Sequence, residues 1–278
     1  MSGLLLSVDL EDVRDWVRDG HRYQERVPVN TEAYLVFFAR LRVKATFFVV
    51  GNVARRYPGL IRTIVEAGHE LACHSDVHLQ LDKQTAAEFR ADVTRNRKTL
   101  EDVGGCRVTG YRAPTFSLTE RTSWAHEILA DEGFEYSSSV LPAANPLYGW
   151  PEFGRRCRRT AAGIWELPMT LHEFPFPRTP IAGGVYFRVL PFLLTRAGIR
   201  RQLKKDCPIL TYFHPYDIDS EQEHFMHPDL NDNAWLNSLM YIGRSKLLSR
   251  LEKIHDICEF YQYGQYVDSI LAKEKVSS

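Results

Sequence analysis

"ELACHSDVH", residues 70–78, is a short apolar run that ends in two histidines four positions apart. The run "ELACH" (70–74) has the length and composition of a buried strand, so His74 and His78 stand at a strand's carboxyl end. On one helical turn, positions i and i+4 face the same way and both ring nitrogens can address one cation. The competing reading is a surface or capping pair. The spacing alone does not decide between them, because ten histidines in 278 residues produce such pairs readily by chance.

Working outward, similar runs recur: "LLLSVD" (4–9), "ATFFVV" (45–50), "VTGYRA" (108–113), "FEYSSS" (134–139), "GIWELPM" (163–169) and "PILTYFH" (208–214). Segments of helical period lie between them, as in "PGLIRTIVEAG", where Pro58 suits a first turn and Gly68 an end. Strands alternating with helices predict an α/β fold built on a parallel sheet. "LPAANPLYGWPEFGRR" (141–156) reads as a long loop. A helical pattern over 233–257 and a last strand "CEFYQY" follow, so residues 1–278 are expected to form a single domain with a helical C-terminal extension from about 230 to 278.

Composition narrows the function classes. Hydrophobic residues make up 44% and aromatics 12%, enough for one large core. Lys+Arg and Asp+Glu are both 35, so no global basic field exists to hold nucleic acid. The local runs "RRCRR" (155–159) and "RRQLKK" (200–205) read as solvated faces. Cys73, Cys106, Cys157, Cys207 and Cys258 are odd in number and lack a CxxC pair, which suits a reducing compartment rather than a disulfide framework. "MSGLLLSVDL" reads as a first strand rather than a signal peptide, and no apolar run reaches the roughly 20 residues of a membrane span. A soluble cytoplasmic protein is therefore expected.

In α/β barrels, chemistry gathers at the carboxyl ends of the strands. Here the first strand ends in "SVDLED" with Asp9, Glu11 and Asp12, the third in His74 and His78, the fourth in "YRAP" with Arg112, and a later one in "YFHPYD" with His214. Each has an ordinary structural use: helix cap, ion pair or core histidine. Together they place carboxylates, imidazoles and a guanidinium around one rim. Two histidines and one carboxylate leave positions open on a divalent ion, which is the catalytic kind of metal site.

The order "SVDLED", "HSDVH", "RAP", "LTYFHP" resembles the motifs of polysaccharide deacetylases of the NodB-homology type, carbohydrate esterase family 4. "TFFVVGNVARRYPGLIRTIVEAGHELACHSDVH", "GYRAPTFSL" and "IAGGVYFRVLP" resemble the subgroup associated with exopolysaccharide and O-antigen gene clusters. The resemblance covers residues 4–215 and implies a distorted (β/α)7 barrel. It also implies metal-dependent removal of an N-acetyl group from an aminosugar or polysaccharide precursor. By resemblance Asp9 is the base, Arg112 holds it, His214 protonates the leaving amine, and the backbone N–H of Thr115 faces the oxyanion. Leu210, with Trp165 as a second candidate, would line the acetyl pocket. The implied ion is one Zn2+, with Co2+, Ni2+ or Mn2+ as alternatives. Contact with a lipid-linked substrate at a membrane surface is compatible with this reading.

Two departures leave assignments open. The family's adjacent aspartates are replaced by Asp9-Leu10-Glu11-Asp12, so the carboxylate beside His74 and His78 is Glu11 if the strand continues and Asp12 if the chain turns after Leu10. The family's acidic-Trp motif behind the last histidine is absent, leaving Glu166 or Asp217 as its orienter. His69, His224, His227 and His255 are expected outside the site. The Gly pair of "AGGV" (182–185) reads as a turn, and Tyr148, Trp150 and Phe153 are candidates for stacking on sugars. The rival functions are a catalytically silent glycan-binding barrel and a metal hydrolase of another amide or an ester.

Overall fold

The computed structural model describes residues 2–277 apart from Pro146, residues 174–178, Asp206, Asp229 and Asn231. Pro146 falls within the loop expected over 141–156, so that part of the loop lies outside the described residues.

The chain runs β1 (Leu4–Leu5), β2 (Ser7–Leu10), α1 (Val27–Leu41), β3 (Thr46–Val49), α2 (Gly51–Arg56), α3 (Pro58–Glu66), β4 (Glu70–Cys73) and α4 (Ala86–Gly104). It continues through β5 (Gly110–Tyr111), α5 (Ala125–Asp131), β6 (Tyr136–Ser137), β7 (Arg158–Arg159), β8 (Trp165–Glu166), α6 (Gly184–Val189) and α7 (Phe192–Leu203). Then come β9 (Ile209–Leu210), α8 (Ala234–Leu239), α9 (Leu247–His255), β10 (Phe260–Tyr261) and α10 (Tyr263–Ser277). Local chemistry explains the boundaries: Pro58 opens α3, Thr85 and Glu88 form a capping box for α4, and Gly105 closes it at φ 65°.

Strands β2, β3, β4, β5, β6 and β8 lie side by side in parallel, with β7 added antiparallel at the edge. A second sheet, β10–β1–β9, is also parallel, and the pair Val8–Phe213 stitches it to the first. The first strand thus changes partners midway, pairing with β9 and β10 low down and with β3 above. This closes the sheet into the distorted (β/α)7 barrel. All four residues of β3, "TFFV", are buried, as required of a strand covered on both faces. One continuous apolar cluster includes Leu4, Phe38, Phe47, Phe89, Tyr111, Phe187, Leu251 and Phe260, drawing on both ends of the chain.

One expected element differs. The helix read over 233–257 is broken between α8 and α9, where Gly243 adopts φ 74° ahead of the short turn Arg244–Lys246. The last strand expected in "CEFYQY" forms as β10, with Phe260 and Tyr261 paired to Leu4 and Leu5.

Candidate active site

At the carboxyl end of β2, Asp9 is buried and its Oδ1 accepts a hydrogen bond from Arg112 Nη1 at 2.5 Å. Arg112 follows β5 and is itself fully buried. The chain turns immediately after β2, with Glu11 N–H donating to Asp9 O at 3.1 Å. Glu11 then points at the imidazoles: its Oε2 lies 2.9 Å from His78 Nε2 and 3.7 Å from His74 Nε2. Asp12 faces away. It caps the short turn Val13–Asp15 and pairs with Arg14 Nη2 at 2.6 Å and Arg56 Nη1 at 2.8 Å. Of the two acids left open by the sequence, only Glu11 joins the histidine pair; Asp12 is taken up by two guanidinium groups.

His74 and His78 do not lie on a helical turn. The chain bends after β4 with Ser75 at φ 67° and His78 at φ 58°, and this left-handed backbone brings the two ring centroids to 5.0 Å. Such conformations in non-glycine residues recur at functional sites. His74 Nδ1 donates to the carbonyl of Arg112 at 2.9 Å, which directs the Nε2 lone pair toward Glu11. Glu11, His74 and His78 each offer a ligand atom within 4.8 Å of the others, and two neutral imidazoles with a carboxylate suit a borderline divalent cation. Burial opposes ionisation of Glu11, but the facing His78, His214 and His74 hold its carboxyl well below the usual range.

His214 stands after β9 with its Nε2 3.9 Å from Glu11 Oε1. Its Nδ1 donates to Asp217 Oδ2 at 2.9 Å, and Asp217 Oδ1 accepts from Arg188 Nε at 2.8 Å. Burial disfavours the imidazolium, but Glu11 and Asp217 outweigh it and raise the pKa to about 9. Asp217 is held at about 2, against burial, by Arg188 and His214. Asp217 is therefore the orienter of His214. Glu166 is not, since it faces His126 Nε2 at 3.1 Å and accepts from the N–H groups of Ser139 and Val140.

Asp9, Glu11, His74, His78 and His214 line one cavity of about 480 Å3, a size suited to a small ligand. Thr115 also lines it, at φ 52°, a backbone conformation that L-residues rarely adopt. Leu210 and Trp165 are not among the described residues lining it: Leu210 is buried within β9, and Trp165 packs beside the inner apolar cluster to which Leu210 belongs. Tyr148 donates to Asp82, while Trp150 and Phe153 pack on each other, so neither pair stands at the cavity. His227, Trp16, Tyr212, Tyr216 and Met240 do line it. Nothing in the local sequence separates these from core residues, although Trp16 contacts the His78 ring at a centroid distance of 4.1 Å. Gly183 and Gly184 do more than turn the chain: Gly183 pairs with Tyr212, whose ring would lie 2.2 Å from a Cβ at that position.

The family model described as "Polysaccharide deacetylase" matches residues 17–136, and the "Domain of unknown function (DUF3473)" matches residues 138–268. A peptidoglycan-N-acetylglucosamine deacetylase of Listeria monocytogenes is 37% identical over 93 residues, 34% of this chain and 20% of that protein. A chitooligosaccharide deacetylase of Sinorhizobium fredii is 46% identical over 68 residues, 24% of this chain and 30% of the relative. The matches thus span less than a third of these relatives' own length. The crystal structure of a putative polysaccharide deacetylase from Mycobacterium smegmatis superposes with a TM-score of 0.66 at 21% identity, covering 98% of this chain and 92% of that one. Residues 17–136 thus match the polysaccharide deacetylase family and residues 138–268 the domain of unknown function, on a fold shared with the Mycobacterium smegmatis structure.

Proposed function

We propose that this protein hydrolyses the N-acetyl group of an N-acetylated aminosugar in a glycan or glycan precursor. The observation that carries the reading is the convergence of Asp9–Arg112, Glu11–His74–His78 and His214–Asp217 on one cavity. When bound by Glu11, His74 and His78, a divalent cation, Zn2+ by the nature of the donors, supplies Lewis acidity to the amide oxygen and to water. Asp9, ion-paired to Arg112, takes the proton of the attacking water. The backbone N–H of Thr115 donates to the oxygen on which negative charge develops. His214, a cation at neutral pH, gives its proton to the leaving nitrogen, with Asp217 fixing the tautomer and ring orientation.

The names of the relatives from Listeria and Sinorhizobium support N-acetylglucosamine-containing glycans as the substrate class. The likeness of residues 46–78, 110–118 and 181–191 to the exopolysaccharide and O-antigen subgroup supports a surface-polysaccharide precursor. Five free cysteines support a cytoplasmic location. The test is acetate release from N-acetylated chitooligosaccharides and from nucleotide- and lipid-linked N-acetylated sugars, with divalent ions added. Release from at least one class is expected. No release from any, with glycan binding retained, would make the protein a silent binding barrel.

A further inference from the structure

Arg112 is fully buried, and both ends of the chain supply its partners. Its Nη1 donates to Asp9 at 2.5 Å and to Ser7 Oγ at 2.9 Å. Its Nη2 has long contacts to Ser138 Oγ at 3.3 Å and Thr211 O at 3.5 Å, and one short contact, 2.8 Å, to the hydroxyl of Tyr263. That hydroxyl is not free to rotate, because it donates to Thr211 O at 2.8 Å. The Tyr263 backbone is anchored in turn, its N–H donating to Thr46 Oγ1 at 2.8 Å. Tyr263 opens α10 directly after β10, the strand that pairs with β1, and its ring lies 5.1 Å from the guanidinium, which stacks on Phe48 from 3.9 Å.

Nη1 donates to Asp9 and Ser7 and Nε to Ser138 O at 3.2 Å, so the far edge of the planar guanidinium, Nη2, is the one whose hold is left to set. A short bond on Nη2, to an acceptor that is itself locked, sets it. We infer that Tyr263 is a positioning residue for catalysis, holding Arg112 so that Nη1 faces Asp9. The inference rests on the reading of Asp9 as the water-activating carboxylate. It assigns a role to the end of the chain segment matched as a domain of unknown function. Loss of the hydroxyl leaves Nη2 only its two long contacts, and misplacement on the scale of an ångström costs catalysis up to about 10²-fold.

The test compares Tyr263→Phe with Tyr136→Phe. Tyr136 is equally buried, its ring stacks on Tyr263 at 6.2 Å, and its hydroxyl donates to Glu70 instead of touching Arg112. Tyr263→Phe is expected to lower kcat by about 10- to 100-fold with KM and bound metal within about twofold, while Tyr136→Phe keeps kcat within about twofold. In an Arg112→Lys background, Tyr263→Phe should cost nothing further, because the coupling runs through the guanidinium. Equal losses in the two tyrosine variants, no loss in Tyr263→Phe, or an undiminished loss in the Arg112→Lys background would each overturn the inference. If Tyr263→Phe does not fold, 3-fluorotyrosine at position 263 keeps the ring and weakens the hydroxyl, and the same criteria apply. A wild-type protein that releases no acetate refutes the functional reading itself, whereas an active one with an unaffected Tyr263→Phe refutes only this inference.

Discussion

Replacing Glu11 by Gln removes the anion that His74 and His78 face, whereas replacing Asp12 by Asn removes a cap and a partner of two arginines. Glu11→Gln should therefore weaken metal binding by about 10-fold or more. Asp12→Asn should leave metal bound and cost stability on the order of 1–3 kcal/mol. Metal analysis and thermal unfolding of the two variants check this, and reversed effects would reassign the ligand. The pH profile tests the His214 pair. His214 has its pKa raised to about 9, so the proton donor is present below that value and is lost as pH rises through it. A cation on Glu11 offsets part of that carboxylate's attraction and brings the alkaline limb of kcat below 9 in the loaded enzyme. Asp217→Asn removes another of the charges raising His214, so its alkaline limb should move to lower pH while the acid limb stays. An unmoved alkaline limb would mean that His214 is not the acid. At this scale Asp9, Arg112, His74, His78 and His214 were legible because each ends a recognisable strand. The choice between Glu11 and Asp12 was left open: alternation along a continuing strand favours Glu11, the chain instead turns after Leu10, and Asp12 is still drawn away because Arg14 and Arg56 pair with it.

Among the elements, the strands of the first half were read nearly to their ends, because "TFFV" and "ELAC" are apolar on both faces. The segment 74–78 was misread as a helical turn, since i,i+4 spacing is shared by a helix and by a bend with two left-handed residues. Its geometry depends on non-local bonds, such as His74 Nδ1 to Arg112 O and the Asn96 side chain to Ser75 O. Sequence periodicity does not encode such bonds. The "AGGV" segment is a second case, where a turn signal conceals a close approach to Tyr212. Gly183→Ala sets a methyl group 2.2 Å from the Tyr212 ring, which lines the cavity. Overpacking of this kind costs about 1–3 kcal/mol, so the variant should show a lowered Tm and a raised KM. Unchanged KM with lowered Tm would place Tyr212 outside substrate binding.

For the molecule as a whole, residues 17–136 and 138–268 match separate family models, yet one apolar cluster runs through both and β10 pairs with β1. A single cooperative unfolding transition is therefore expected, and two resolved transitions would argue for independent halves. The parallel α/β class was legible from alternation alone. The pairing of the chain's last strand with its first was not, because residues 4 and 260 leave no local signal. Tyr263 follows that strand directly and so reaches Arg112. The proposed hydrolysis requires that Glu11, His74 and His78 hold one ion. The most direct measurement is titration of metal-stripped protein with Zn2+, following acetate release from an N-acetylated chitooligosaccharide. Release that rises with added ion and saturates at one equivalent per chain, and that is absent in His74→Ala and His78→Ala, is the predicted result. Full release from the stripped protein, or from either variant without bound metal, would contradict it.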